Sequence, residues 1–254
     1  MIEKTDTIIV SFTSWTKRIQ YCKHTVDLMR QQTLKPDKIV LNLSTDEFPR
    51  KEEELPKELV AAQDDVFEIY WVKENNKVYK KIIPTLKRFP EDVIISIDDD
   101  IEYPKNFIEE MYGKFVEYGK KYPIAGYENE ENGVYRHSGP FSLVKAEFFG
   151  DYLDDLYENV VVVYGDDVIH ASDDIYFYAA LLQGVPYRLH TGIAEAMKLL
   201  YRNSMRHGRF INNRYSVYDR KWRVKYNKQI EITRNYIHDR YKLTYDDLIL
   251  KIKK

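Results

Sequence analysis

Length, composition and charge already exclude several classes of protein. The chain has 254 residues, 44% of them hydrophobic and 14% aromatic, which is enough apolar surface for a packed core and excludes wholesale disorder. Its 39 Lys and Arg against 41 Asp and Glu give a net charge of −2, whereas a generic nucleic-acid binder carries a clear basic excess. We therefore expect no nucleic-acid partner.

The expected compartment follows from cysteine usage and the distribution of apolar residues. The single cysteine, Cys22, cannot form an internal disulfide or a cysteine-based zinc site, which is typical of a reducing environment. Residues 1–6 lack the apolar run of a secretory signal, and no uncharged apolar stretch approaches the ~20 residues that span a bilayer. We expect a soluble, cytoplasmic protein with Cys22 in its core.

Charge is distributed unevenly along the chain. Residues 201–254 contain 15 Lys and Arg but only five Asp and Glu, whereas residues 1–200 contain 24 and 36. This asymmetry predicts a globular domain over residues 1–200 with a basic, Tyr-rich extension, residues 201–254, packed on it. The extension either contacts an anionic partner, such as the inner face of a membrane, or is a charged helical face that keeps the chain soluble.

Strands and helices alternate over the first hundred residues. Near-continuous apolar runs predict four buried strands, at residues 7–12, 38–43, 66–71 and 93–97. Apolar residues at helical spacing predict two helices, one through Ile19, Cys22, Val26 and Met29 and one through Val78, Ile82, Leu86 and Phe89. Such alternation predicts an α/β fold, with a Rossmann-like, mostly parallel sheet covered by helices.

The rest of the chain reads differently. A helix is expected after Pro104, and residues 123–172, which lack sustained periodicity, are expected to be irregular. Another helix is predicted from about Asp173, with Gly184 at its end. A short strand at residues 186–190 and a helical segment from about residue 219 complete the prediction.

Three consecutive aspartates are the sharpest chemical feature of the sequence. Asp98, Asp99 and Asp100 follow the fourth predicted strand, and ligands of open α/β sheets bind at that end of the strands. Alternation along an extended chain places Asp98 and Asp100 on one side and Asp99 on the other. Two nearby carboxylates repel each other, and a hard cation such as Mg²⁺ or Mn²⁺ removes that cost. The simpler alternative is that one of the aspartates caps the next turn or helix.

A second acidic pair begins the helix predicted near residue 173. A helix N-terminus keeps a carboxylate ionised, so Asp173 or Asp174 could act as a general base toward a hydroxyl group. The alternative is an ordinary helix cap formed by Ser172 or Asp173.

Basic and imidazole side chains complete the candidate site. Arg18 follows the first strand, and Lys80 and Lys81 precede the acidic strand, so each is a candidate ligand for a diphosphate group. His190 follows a short predicted strand and is a candidate metal ligand through a neutral imidazole. Solvated lysines and a structural histidine are the alternatives.

Several segments, taken in order, resemble a known family. They are IVSFTS at residues 9–14 with Arg18 and Ile19, QTLKPDKIV at 32–40, YKKIIP at 79–84, IDDDIEYP at 97–104 and DDI at 173–175. Over about residues 7–190 they resemble bacterial GT-A glycosyltransferases of the family-two-like type, found in capsule and lipopolysaccharide gene clusters. The resemblance implies a GT-A catalytic domain over residues 1–200 that takes part in surface polysaccharide synthesis.

The same resemblance implies ligands and roles for individual residues. The donor would be a nucleoside diphosphate sugar, with UDP as the expected nucleotide, and the acceptor a saccharide that is often lipid-linked. Ser11 and Thr13 would line the nucleotide-base pocket. The motif from Asp98 through Asp99 to Asp100 would contact the donor, with Asp98 on the ribose or the metal and Asp100 on Mn²⁺ or Mg²⁺. Asp174, or failing that Asp173, would be the catalytic base.

Chemistry favours a single in-line displacement, and two other functions stay open. A diphosphate leaves only when its developing charge is neutralised, by a metal ion with Lys81 or Arg18 assisting. One displacement inverts the anomeric centre, although the sequence does not exclude retention. A nucleotidyltransferase acting on a sugar phosphate is disfavoured because residues 13–18 contain no glycine. A catalytically inactive sugar- or nucleotide-binding module is the other alternative.

Overall fold

The structure, a computed structural model, describes residues 3–126, 130–131, 133–135, 141–165, 174–190 and 220–253. For residues 130–131, 174 and 220–227 it describes the backbone only. None of the helices in these ranges is long and apolar enough to cross a membrane.

A seven-stranded, mostly parallel sheet forms the centre of the molecule. Its strands are β1 (Ile8–Thr13), β2 (Lys38–Ser44), β3 (Phe67–Val72), β4 (Val93–Ser96), β5 (Ile124–Ala125), β8 (Ser142–Val144) and β9 (Arg188–Leu189). They lie in the order β3-β2-β1-β4-β8-β5-β9, and β8 alone runs antiparallel to its neighbours. A separate hairpin pairs β6 (Glu130–Glu131) with β7 (Val134–Tyr135). The predicted Rossmann-like α/β fold is confirmed.

Helices cover both faces of the sheet. They are α1 (Cys22–Arg30), α2 (Lys57–Val60), α3 (Ile83–Arg88), α4 (Phe107–Glu117), α5 (Tyr152–Leu156), α6 (Asp174–Gln183), α7 (Arg220–Tyr241) and α8 (Tyr245–Ile252). Short 3₁₀ helices occupy Ile19–Tyr21, Lys51–Glu54, Lys77–Lys81 and Ala146–Phe148, and a π-helical stretch, Tyr157–Val162, continues α5.

The core is divided into two layers by the alternation of side chains along the strands. Ile8, Val10 and Phe12 of β1 face a layer that includes α1 and α4, whereas Ile9 faces a layer that includes α3, α6 and α8. Successive side chains of a strand point to opposite faces, so a strand covered on both sides is apolar throughout. Cys22 is fully buried in the first layer, as the sequence predicts.

Residues 123–172 are more regular than expected. The prediction of an irregular segment is wrong for β5, β8, α5 and the π-helical stretch, all of which lie within it. The strands escape detection because they are two and three residues long, too short to show a period. Position 126, directly after β5, requires glycine, because a Cβ there would lie 1.6 Å from the ring of Phe141.

Two predictions about helix ends and tails are confirmed. Gly184 ends α6 with a φ of +84°, a conformation that glycine adopts without steric cost. The predicted helical tail corresponds to α7 and α8, which pack on the second layer through Ile237, Leu248 and Ile249. Lys251 of α8 donates a hydrogen bond to the carbonyl of Leu182, so the last helix caps the end of α6.

The order of the strands defines where a ligand can bind. The chain runs from β1 outward to β2 and β3 and then returns to β4 on the other side of β1. Such a reversal opens a crevice at the carboxyl ends of the two central strands. Thr13 and Ser96 end these strands, so residues 14–18 and 97–100 border the crevice.

Candidate active site

A charged cluster occupies the crevice at the ends of β1 and β4. Arg18, from the turn that follows β1, lies 2.5 Å from Asp99 through Nη2 and 2.6 Å from Asp100 through Nη1. Lys81 donates a hydrogen bond of 3.0 Å to Asp98. The structure therefore brings together all three aspartates and two of the predicted basic residues.

Asp99 is the buried member of the cluster. Its side chain is 1% exposed, against 37% for Asp98 and 15% for Asp100. Ser14 donates a hydrogen bond of 2.5 Å to its carboxylate, and Thr25 of α1 donates one of 3.2 Å to its carbonyl. Asp99 thus faces the protein while its two neighbours face the crevice.

Burial and pairing set the protonation of this cluster. Burial raises the pKa of Asp99 to about 7, against the opposing effect of Arg18. Burial acts to lower the pKa of Arg18, but the carboxylates of Asp99, Asp100 and Asp98 outweigh it and raise that pKa. The guanidinium therefore stays charged and serves as the counter-ion of the aspartates.

Asp98 and Asp100 are more exposed than Asp99, as the predicted alternation of side chains requires. Their contacts do not alternate, because Arg18 contacts both Asp99 and Asp100. β4 ends at Ser96, and the chain turns at Asp99 and Asp100 instead of continuing as a strand. One guanidinium can therefore reach both Asp99 and Asp100. The backbone N–H of Asp98 donates a hydrogen bond of 2.9 Å to the buried hydroxyl of Tyr103, which holds the start of this turn.

Ser11 and Thr13 lie along the last residues of β1. The Ser11 hydroxyl is fully buried and donates a hydrogen bond of 2.6 Å to the carbonyl of Lys81. Asn42 donates a hydrogen bond of 3.0 Å to the same hydroxyl, and Thr13 donates one of 2.7 Å to the Asn42 carbonyl. These contacts tie β1 to β2 and to the Lys81 segment, and contact with a nucleotide base stays a prediction.

Lys80 and Lys81 point to different partners. The ammonium of Lys80, 3% exposed, pairs with Glu47 and lies 2.8 Å from Asn75, near the carboxyl end of β2. Burial lowers the pKa of Lys80 against the opposing effect of Glu47. The structure therefore does not bring Lys80 to the aspartates with Lys81, because its charge is already paired elsewhere.

His190 lies near the edge of the sheet formed by β9, on the side of β4 away from β1. It follows β9, which is three strands from β4, about 14 Å at a strand spacing of ~4.8 Å. Its Nε2 lies 3.7 Å from Glu110 of α4, and burial lowers its pKa. The structure does not bring His190 to Asp98 and Asp100, so its assignment as a metal ligand has no support from the geometry.

The two candidates for the catalytic base lie at the boundary of the described residues. Asp173 is outside the described residues, and Asp174 is the first residue of α6, with its side chain outside them. The backbone position of Asp174 agrees with the predicted helix start.

The aspartates suit a divalent cation that is completed by its substrate. Asp98 and Asp100 offer partly exposed carboxylate oxygens, the ligand type that Mg²⁺ and Mn²⁺ prefer. Among the described residues no group of three or more His, Cys, Asp or Glu is arranged to hold a metal ion. Mg²⁺ commonly takes only one or two carboxylates and completes its shell with water and substrate phosphates. The residues fit a cation that arrives with a diphosphate.

Ser14, Thr25 and Tyr103 belong to the site but carry no role in the sequence-based assignment. Ser14 lies in the segment at residues 9–14 that carries the family resemblance, and its place directly after β1 is a signal that can identify it from sequence. Tyr103 likewise lies in the segment at residues 97–104, directly after the aspartates, whereas Thr25 carries no such signal, because its contact with Asp99 depends on how α1 packs.

Comparison with known proteins gives structural similarity only. No family model and no curated protein matches the sequence. The mannosyltransferase PcManGT from Pyrobaculum calidifontis, in complex with GDP-Man and Mn²⁺, has a TM-score of 0.49 and 10% identity, over 98% of this chain and 74% of that one. An active-site mutant of LgtC has a TM-score of 0.47 and 10% identity, over 72% of each chain.

A third similar structure has a different activity. The 4-diphosphocytidyl-2C-methyl-D-erythritol synthase from Anaerococcus prevotii has a TM-score of 0.45 and 9% identity, over 74% of this chain and 89% of that one. At these identities and scores, the similarity does not assign a donor, an acceptor or a metal to this chain.

Proposed function

We propose that this protein is a glycosyltransferase that moves a sugar from a nucleoside diphosphate sugar to a hydroxyl group of a saccharide. The observation that carries the proposal is the meeting of Asp98 and Asp100 with Arg18 and Lys81 at the carboxyl ends of β1 and β4. Two carboxylates beside two cations provide ligands for a metal–diphosphate unit on one side and for its phosphate oxygens on the other.

The chain's own residues would act mainly by binding and charge stabilisation. Asp98 and Asp100 would hold a divalent cation, Mn²⁺ or Mg²⁺, which when bound neutralises charge on the diphosphate leaving group. Arg18 and Lys81 would turn from Asp100 and Asp98 toward the phosphate oxygens, while the pair with the buried Asp99 would keep the guanidinium at the site. Preorganised charges of this kind are a large part of catalysis when negative charge develops on a leaving group.

The proposed transfer is a single displacement. The acceptor oxygen forms a bond to the anomeric carbon while the bond from that carbon to the diphosphate oxygen breaks. The leaving electron pair goes to the diphosphate, and the hydroxyl proton goes to the carboxylate of Asp174, or to Asp173. Attack opposite the leaving group inverts the anomeric centre.

The finer assignments rest on the sequence resemblance. They are UDP as the nucleotide, a saccharide or lipid-linked saccharide as acceptor, and a place in surface polysaccharide synthesis. A cytoplasmic location is proposed from the single cysteine, Cys22, because such cysteine usage is typical of a reducing environment. Contact of residues 201–254 with an anionic membrane is a further proposal, supported by their 15 Lys and Arg against five Asp and Glu.

A thermal-shift panel tests the donor site. The wild type is heated with UDP, GDP, CDP and TDP, each with and without Mn²⁺. A nucleotide at 100 times its dissociation constant stabilises the native state by about 2.7 kcal/mol. We expect one nucleotide to raise the melting temperature only when Mn²⁺ is present.

Two variants assign that effect to the site. Asp100→Asn should abolish the shift, and Asp154→Asn, at an aspartate that is 63% exposed and remote from the crevice, should retain it. Absence of any shift in the wild type would favour the catalytically inactive binding module, with a sugar as its ligand. A shift with a nucleoside triphosphate and a sugar phosphate, but with no diphosphate, would favour a nucleotidyltransferase.

A further inference from the structure

The 3₁₀ helix Lys77–Lys81 presents three consecutive side chains to three different neighbours. A 3₁₀ helix has three residues per turn, so consecutive side chains project about 120° apart. Tyr79 points to α7, Lys80 to Glu47 and Lys81 to Asp98. A rotation of this helix about its axis would therefore displace all three side chains together.

α7 holds the first of these side chains. Gln229 of α7 is fully buried and donates a hydrogen bond of 2.7 Å to the hydroxyl of Tyr79, which is 1% exposed. The ring of Tyr79 packs against the rings of Tyr157 and Tyr176, with centroids 6.1 and 6.0 Å away. The contact joins residues 150 positions apart in the chain, so only the packing of α7 creates it.

The 3₁₀ helix depends on such external contacts. It has five residues, and 3₁₀ runs beyond three or four are uncommon because their hydrogen bonds are poorly aligned. It begins at Lys77 with a φ of +49°, which is unfavourable for a lysine. The neighbours on its three sides, and not its own hydrogen bonds, therefore set its orientation.

We propose that Tyr79 and Gln229 are positioning residues, through which α7 sets the orientation of Lys81 at the diphosphate site. The inference rests on the proposed function for its ligand, a nucleoside diphosphate. It gives the C-terminal helix a part in donor binding that is mechanical: α7 fixes Tyr79, Tyr79 fixes the rotation of the 3₁₀ helix, and the helix presents the Lys81 ammonium to Asp98.

Amine labelling of the full-length protein tests the positioning directly. The acetylation rate of Lys81, which is 5% exposed, is measured by mass spectrometry and normalised to exposed Lys57 in the same sample, well below the melting temperature. Loss of one hydrogen bond between Tyr79 and Gln229 should raise the Lys81 rate by about threefold to tenfold, in Tyr79→Phe and in Gln229→Leu.

Tyr236→Phe is the matched control. Tyr236 also lies on α7, and its hydroxyl donates a hydrogen bond of 2.9 Å to Asp155, remote from Lys81. This variant should lower the melting temperature without changing the Lys81 rate. If Tyr79→Phe and Gln229→Leu accelerate Lys81 labelling no more than Tyr236→Phe does, α7 is merely structural and the inference is overturned.

Binding of UDP with Mn²⁺ gives the second readout. The dissociation constant should rise by about threefold to tenfold in Tyr79→Phe and Gln229→Leu and stay unchanged in Tyr236→Phe. Unchanged binding in Tyr79→Phe, with weakened binding in Lys81→Met, would also overturn the inference. If the wild type bound no nucleoside diphosphate while the labelling result held, the proposed function would fail and the positioning of Lys81 by α7 would stand.

Discussion

At the scale of single residues, Arg18 is the side chain on which the acidic cluster depends. Asp99 is almost fully enclosed, and Arg18 is the cation that the structure places against it. Removing one partner of a buried ion pair leaves the other charge uncompensated, which costs several kcal/mol.

Arg18→Met should therefore lower the free energy of unfolding by about 3 kcal/mol, measured by urea denaturation. Arg18→Lys should recover only part of this loss, because an ammonium cannot bridge two carboxylates as a guanidinium does. Arg50→Met is the control, since Arg50 is 71% exposed and 3.8 Å from Glu54. A loss in Arg18→Met no larger than in Arg50→Met would show that the pair with Asp99 does not form.

The two adjacent lysines should separate in their effects on ligand binding. Lys81→Met removes the cation beside Asp98 and should weaken binding of UDP with Mn²⁺ by about tenfold to a hundredfold, the usual effect of losing a charged hydrogen bond. Lys80→Met leaves Glu47 without its cation, so it should lower stability, and through the orientation of the 3₁₀ helix it should weaken UDP binding by no more than about tenfold. Equal losses of affinity, measured by calorimetry, would mean that Lys80 also contacts the proposed diphosphate ligand.

At the scale of elements, Asp6 joins the start of β1 to α4. Its carboxylate accepts hydrogen bonds from Tyr112 of α4 and from Lys120, just beyond that helix. Partial burial acts to raise the pKa of Asp6, but the hydrogen bonds from Lys120 and Tyr112 outweigh it and lower that pKa. A lowered pKa in the folded state means that the contribution to stability is present above the unfolded-state pKa and is lost on acidification.

Asp6→Asn should therefore cost most in stability above about pH 5, and the difference from the wild type should shrink as the pH falls toward 3. Urea denaturation of both proteins across this range measures it. Tyr112→Phe removes one of the hydrogen bonds that Asp6 accepts and should show the same trend with a smaller amplitude. A difference that does not change with pH would contradict the pairing.

The elements that sequence predicts are those with long, regular patterns. β1, β2, β3 and β4 are strands of at least four residues that are mostly apolar, and α4 and α6 have clear starts or ends. The helix predicted through Val78 and Phe89 is divided instead into a 3₁₀ helix and α3, with Pro84 at the start of α3, where its missing N–H costs nothing. That change of period decides where Lys80 and Lys81 point, and no apolar pattern reports it.

At the scale of the whole molecule, the site could be predicted only as far as strand ends can be placed from sequence. Arg18 and Asp98–Asp100 follow two strands that sequence identifies, and these strands prove to be neighbours. His190 follows a two-residue strand whose place at the far edge depends on β5 and β8. The contact between Gln229 and Tyr79 is a product of tertiary packing alone.

The division of the chain at residue 200 stays a prediction, and its test is the cooperativity of unfolding. α7 is tied to the sheet-bearing part of the chain by one buried hydrogen bond, from Gln229 to Tyr79, and by two partly buried ones, from Arg234 to Tyr178 at 2.6 Å and from Tyr241 to Asp155 at 2.6 Å. A helix that is held by buried polar groups on its neighbour loses those partners when the neighbour unfolds, so the two should unfold together.

Tryptophan fluorescence can follow α7 separately from the sheet. The chain has three tryptophans, and Trp222 is the one on α7, so a Trp15→Phe/Trp71→Phe variant reports on that helix alone. Its urea transition should coincide with the transition seen by far-ultraviolet circular dichroism, because one cooperative unit gives coincident curves from different probes. A Trp222 transition at clearly lower urea would mean that residues 201–254 unfold as a separate extension, and would remove α7 as a support for Lys81.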